Sequence, residues 1–278
     1  MSDVSNPMPE AASFLAEGAA LHAVLATLAA NQLTEATQFK SWTFEDIVTH
    51  LYLWNEGALL TLTDPPAFQN LVARVMSRLG AGDDHRDLQR TWLAETHPGI
   101  CGAALVTSWW QSHQQCAERF ASADPDLRVN WFGPPMTGRS KIIARQMECW
   151  AHGQAIFDHL GLERTDDDRL RPIAHLGVTT YSFAFRNRSL NPPVPKPYVR
   201  LTAPSGAVWE WNEAQEDNQV SGPATQFCQI VCQTRAFADT RVQVTGKTAS
   251  AWMAIAQCFA GPPHPPPAPG SRYRRSTA

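Results

Sequence analysis

Over about the first 160 residues the chain is written in helix-forming segments separated by short breaks, and from about residue 171 the texture becomes strand-rich. That change of texture allows few folds: a helical bundle first, then a smaller mixed domain. Residues 9 to 31 carry strong helix formers and an apolar stripe of Phe14, Leu21, Val24, Leu25 and Leu28, which predicts the first helix. A second helix starts after Thr43 as N-cap, with Asp46 as its capping-box partner, runs through His50 and Trp54 to about Leu62, and stops at Asp64-Pro-Pro66. A stretch around 67 to 79 follows, then the break Gly80 to Asp84, then one long helix from about Pro98, or somewhat before it, to Ala123. The last helix of the bundle is bounded by Thr137 as N-cap and Gly161 as stop.

Beyond the linker Asn191 to Pro197, the segments Tyr198 to Ala203 and Ala207 to Trp211 flank a Gly-bearing turn and predict a hairpin. A third extended piece from Gln219 to Gly222, a helix over 223 to 234, a strand over Arg241 to Thr245 and a helix over 247 to 260 complete a small α+β domain. The expected fold is a two-domain α+β chain, an up-and-down four-helix bundle over 1–165 and the α+β domain over 166–262. A proline-rich tail over 263–278 is expected to be disordered or polyproline-like, with Arg272, Arg274 and Arg275 solvated.

A net charge of −3 and a pI near 6.3 leave no electrostatic footprint for nucleic acid or an anionic membrane. No apolar run reaches the roughly 20 residues that span a bilayer, and residues 1 to 6 lack a basic region followed by an apolar one. A cytoplasmic protein acting on a small molecule is the expectation, and nothing in the sequence reads out an oligomeric state. Cys101, Cys116, Cys149, Cys228, Cys232 and Cys258 lie in apolar segments without Cys-x-x-Cys spacing and read as reduced core thiols.

Glu148 and His152 stand at i and i+4, offset by about 40° around a helix and about 6 Å along it, so both can reach one ion. With His50 from the second helix they make an imidazole and carboxylate set that can hold zinc with one position open. The same residues also read as a hydrogen-bonded interior His and Glu pair. Cys149 points about 100° away from Glu148 and should not join them. Asp46, four residues before His50, is explained by the capping box. His159 lies about 10 Å along the helix from His152 and suits the negative helix end.

The runs Trp42 to His50, Trp131 to Met136 and Met147 to Gln154 resemble the metal-binding domain of mycothiol-dependent maleylpyruvate isomerases, within the wider DinB-like bundle superfamily. Arg169 to Gly177, Leu201 to Gly206 and Ser221 to Ala224 are similar to the second half of an uncharacterised metal-binding branch of that group. The resemblance implies a four-helix bundle in which His50, Glu148 and His152 match the metal triad, usually zinc. It also implies an arginine of the second domain that assists catalysis, with Arg235 nearest and Arg241 competing, and a low-molecular-weight thiol as cosubstrate. His175, at the join between domains, is a candidate general acid or base. The functional expectation is a metal-dependent isomerase or thiol transferase of small-molecule metabolism, its open-sided metal facing the second domain. The alternatives are a metal-stabilised small-molecule binding module without catalysis and a metal-dependent hydrolase or lyase.

Overall fold

The computed structural model describes residues 8–133 and 135–276, so the opening residues of the expected first domain, Pro134 of the Trp131 to Met136 run and the last two tail residues lie outside the described part. Two compact units part at Gly153 and Gln154.

In the first unit α1 (Pro9–Leu25), α3 (Phe44–Thr63), α6 (Gly102–Ala121) and α7 (Gly138–Leu160) contribute to one core, in which Phe14, Ala58, Leu59, Cys116, Phe120 and Ile142 are buried together. This is the expected four-helix bundle. A short α2 (Ala30–Leu33) follows α1, and α4 (Pro65–Gly80) and α5 (His85–Thr96) pack on α3. A two-residue ladder, β1 (Arg128–Val129) with β2 (Met136–Thr137), leads into α7.

Local chemistry sets the helix ends. Thr43 Oγ1 accepts from the Asp46 amide at 3.1 Å while Asp46 Oδ2 accepts from the Thr43 amide at 2.9 Å, a closed capping box. Thr137 Oγ1 accepts from the Ser140 amide at the start of α7. At its other end Gly161 takes φ +70°, its amide bonds Asp158 O, and the Leu162 amide bonds Phe157 O, a Schellman stop.

Two expectations need correction. The first helix is shorter than residues 9 to 31, because Thr27 Oγ1 donates to Val24 O and Gln32 Oε1 accepts from the Ala29 amide, side-chain bonds that compete with the helical ladder. The helix expected from about Pro98 to Ala123 is α6, and the stretch before it is a separate helix, α5, that was not set apart. Asp84 caps α5 through Oδ1 to the amides of Arg86 and Asp87, α5 ends at Thr96 before the His97-Pro98 pair, and α6 starts afresh at Gly102.

In the second unit, the change at 171 leads first to helix: α8 (Arg171–Thr179) and α9 (Tyr181–Arg186), where strand texture had been expected. The sheet comes later. β3 (Tyr198–Thr202) pairs antiparallel with β4 (Val208–Trp211) as the expected hairpin, and parallel with β5 (Gln219–Pro223). After α10 (Ala224–Val231), β6 (Gln243–Thr245) pairs antiparallel with β5, and α11 (Lys247–Met253) follows. Val199, Leu201, Trp209 and Val220 point to the buried face, packed with α10, whose Phe227 and Val231 leave room only for Gly177 on α8.

The proline-rich segment, expected to be disordered, is tied down in the second unit. The Gly270 amide bonds the Asp239 carboxylate, the Arg275 amide bonds Asp158 O at 2.8 Å, and Arg274 pairs with Glu163 at 3.1 Å. Prolines donate no hydrogen bonds, so the residues between and after them do the anchoring.

Candidate metal centre

His50 lies on the second turn of α3 because the capping box fixes where that helix begins, and Glu148 and His152 lie on successive turns of α7. Register between the two helices comes from Arg145, one turn before Glu148. Its buried guanidinium donates to Asn55 Oδ1 at 3.1 and 3.2 Å and to Leu51 O at 3.2 Å. The Asn55 amide nitrogen meets His113 Nδ1 on α6 at 3.4 Å, and His113 Nε2 donates to Phe14 O on α1 at 2.9 Å. One polar chain thus crosses all four long helices and is satisfied inside an apolar bundle. Gly18 leaves space for it, since a Cβ there would sit 2.1 Å from His113 Nε2.

The three side chains read from the sequence are brought together. His50 Nε2 lies 3.2 Å and His152 Nε2 3.0 Å from Glu148 Oε2, and one ligand atom from each residue falls within 4.8 Å of the other two. Ligands about 2.1 Å from a tetrahedral ion are about 3.4 Å apart, so the two imidazole–carboxylate separations of 3.0 and 3.2 Å are close to those of a zinc site.

Protonation suits cation binding. Burial and the neighbouring His152 push the His50 imidazole down to about 3, so it is neutral at pH 7. Burial opposes ionisation of Glu148, but hydrogen bonds from His152 and His50 outweigh it and hold the carboxyl well below its usual range. Two nitrogen lone pairs and one anion are what a divalent ion requires.

Gln89, which sequence reading missed, offers the His50 ring one of two tautomers. Its amide nitrogen donates to Asp46 O at 2.8 Å, so its Oε1 faces His50 Nδ1 at 3.2 Å. When Nδ1 carries the proton it donates to Gln89 and frees the Nε2 lone pair for an ion. In the other tautomer Nε2–H donates to Glu148 and Nδ1 accepts from Trp54 Nε1 at 3.1 Å. The surroundings support both the ion-holding and the ion-free form. A local signal for Gln89 existed only as Asp84, the cap that starts its helix.

Aromatic rings wall the triad. Trp42 stacks on His152 with centroids 5.9 Å apart, Phe39 meets the same imidazole edge-on at 4.9 Å, and Trp54 packs against His50. The loop that presents Phe39 and Trp42 is closed by the Ala36 and Thr43 bridge, and it takes left-handed backbone at Lys40 and Ser41. Asp46 is bound to Arg90 at 2.6 and 2.9 Å besides its cap, and Cys149 is buried outside the group of three.

The remaining candidates belong to the second unit. Arg235 makes a bidentate pair with Asp158 at 2.6 and 2.7 Å, so its fork is engaged by a protein carboxylate in this structure. Arg241 lines a cavity of about 470 Å³ with Thr202, Pro204, Gly222 and Pro223. His175 is exposed on α8, accepts from Trp211 Nε1 at 3.2 Å, and has its pKa lowered by partial burial and by Arg171. His159 is buried near the end of α7 and meets Arg275 Nη1 at 3.1 Å. Among the described residues no helix is long and apolar enough to cross a membrane.

The chain is 37% identical over 261 residues to an uncharacterised protein of Mycobacterium tuberculosis in two strains, covering 94% of this chain and 98% of the relative. Crystal structures of the mycothiol-dependent maleylpyruvate isomerase and of a histidine-to-alanine mutant of it align at 14% identity, with TM-scores of 0.48 and 0.47, over 80% of this chain and 86% of theirs. The pattern of the mycothiol maleylpyruvate isomerase N-terminal domain matches residues 14–157, more than half the chain, and the chain belongs to that family.

Proposed function

We propose that the chain is a metal-dependent enzyme of small-molecule metabolism, an isomerase or thiol transferase, in which His50, Glu148 and His152 hold one divalent ion, zinc by donor type. The observation that carries this reading is the convergence of two imidazole nitrogens and a carboxylate oxygen within 4.8 Å. The family name motivates a low-molecular-weight thiol of the mycothiol kind as cosubstrate. An ion bound there supplies Lewis acidity toward a thiol, a water or a carbonyl near neutral pH.

The chain's own residues supply the rest. Glu148 balances part of the ion's charge. Gln89 sets the His50 ring with Nε2 toward the ion, and Arg145 locks α7 against α3 so that the donors stay in register. Phe39, Trp42 and Trp54 shield the donors from bulk water, which strengthens electrostatic interactions at the centre.

The test is elemental mass spectrometry of protein purified without added metal, beside His50→Ala and Glu148→Gln. Near-stoichiometric zinc or another divalent ion in the wild type, lost from both variants while their helical circular dichroism persists, is the expected result. Wild-type protein that is metal-free and cannot be reconstituted would sink the proposal. Metal that raises Tm while no thiol-dependent isomerisation or transfer is detected would favour the binding module.

A further inference from the structure

The second unit holds a pair of thiols that no step of the proposed function uses. Cys232 caps the C-terminus of α10, and Cys258 lies in the irregular segment after α11. Their sulfurs are 3.5 Å apart, and the Cys258 amide donates to Val231 O at 3.0 Å, so the two backbones run side by side. The neighbours hold that alignment: Gln233 Nε2 donates to Ala256 O and His264 O, and Gln257 Oε1 accepts from the His264 amide, each at 3.0 Å. A disulfide needs sulfurs about 2.05 Å apart, so closure asks the two to approach by about 1.5 Å, within reach of side-chain rotation.

We propose that Cys232 and Cys258 form a reversible dithiol/disulfide site whose oxidant is a low-molecular-weight disulfide. A thiolate at one cysteine attacks the small disulfide, breaks its S–S bond and releases one small thiol. The second cysteine then attacks the protein sulfur of the mixed disulfide, forms the Cys232–Cys258 bond and releases the second small thiol. The protein gives up two electrons and two protons, and the small disulfide is reduced to two thiols. The same small thiol in excess reverses both steps. Closure ties the end of α10 to the segment that carries the chain toward its C-terminus.

Cys228 is the competing partner, one turn earlier on the same helix. It is fully buried, and burial, followed by the nearness of Cys258, pushes its thiol well above the usual range, which leaves it a poor nucleophile. At 6% and 5% exposure, Cys232 and Cys258 are slightly more open than Cys228. The pair lies wholly in the second unit, so this inference stands independently of the metal reading.

The full-length protein, reduced and then incubated natively with oxidised glutathione as the probe disulfide, tests the proposal by intact mass and by peptide mapping after alkylation. The expected result is loss of two hydrogen atoms, a Cys232–Cys258 cross-linked peptide, and a Tm rise on the order of 10 °C that reduced glutathione abolishes. Cys228→Ser should close equally well, whereas Cys232→Ser should retain a glutathione adduct at Cys258 or not react. A cross-link through Cys228, a stable adduct on the wild type without closure, or reaction only after unfolding in urea would each overturn it. Should Cys232→Ser fail to fold, the wild-type peptide map decides alone.

Discussion

Two carboxylates on α7 lie ten positions apart and have opposite fates. Glu148 is shared between the imidazoles of His50 and His152, whereas Asp158 is closed off by the bidentate guanidinium of Arg235. A neutral imidazole can exchange its hydrogen bond to the carboxylate for a bond to a cation and leave the negative charge available. A guanidinium neutralises the carboxylate and fills both oxygens. One helix therefore carries a candidate ligand at one place and a strut at another, and the partner each carboxylate meets makes the difference. The lesson extends to Arg235: a conspicuous arginine is available to a substrate only when no protein carboxylate has claimed it.

Breaking the strut should have the largest effect. Arg235→Leu leaves Asp158 buried and unpaired, and should cost about 3–5 kcal/mol in urea unfolding with bound metal unchanged. Loss of metal from that variant, or a stability change below about 1 kcal/mol, would erase the distinction between strut and ligand.

The polar chain behind the triad sharpens the comparison through pH. Burial, aided by Arg145, pushes His113 from its ordinary 6.5 down to about 3, while the Phe14 carbonyl pulls the other way. A base whose folded pKa is depressed binds its proton more readily when unfolded, so its stabilising effect is complete above 6.5 and is lost as pH falls toward 3. Stability should decline over that window by up to about 1.4 kcal/mol per pH unit for this group, and His113→Gln should flatten the decline. Identical pH slopes for wild type and variant would show that His113 does not titrate there.

Tuning the triad without touching its donors comes next. Gln89→Leu removes the acceptor that holds the His50 Nδ1 proton and should weaken zinc binding roughly 10- to 100-fold by competition titration, with the stoichiometry kept. Unchanged affinity would mean that the tautomer is set elsewhere. The smallest effect is expected from Thr43→Ala, which opens the capping box and should cost about 1 kcal/mol with little change in metal affinity, because His50 lies well inside α3.

The centre was unusually legible for one built from three separate stretches of sequence. Helical spacing puts Glu148 and His152 on one face, Thr43 with Asp46 announces the helix that carries His50, and the family resemblance joins the three as a metal triad. What escaped were partners without spacing signals. Gln89 sits on α5, a largely polar helix with only Leu88 and Trp92 as large buried apolar residues, so its periodicity merged with that of α6 in the sequence. In the same way α8 and α9 were lost in the expectation of strands, because short helices whose stability comes from packing carry little propensity signal. The tail misled by composition: its prolines predict extended backbone, but anchoring depends on Gly270, Arg274 and Arg275 finding Asp239, Glu163 and Asp158.

By itself the sequence determined the bundle, the hairpin, the capped start of α3 and the shared face of Glu148 and His152, because caps, periodicity and turn chemistry act over a few neighbouring residues, and the family resemblance added His50 to that pair. Only the tertiary structure decided which charges are spoken for. Whether Arg235 is free, which nitrogen of His50 bears the proton and which cysteines lie side by side depend on groups 77, 39 and 26 residues apart in the chain, and only folding brings them within bonding distance.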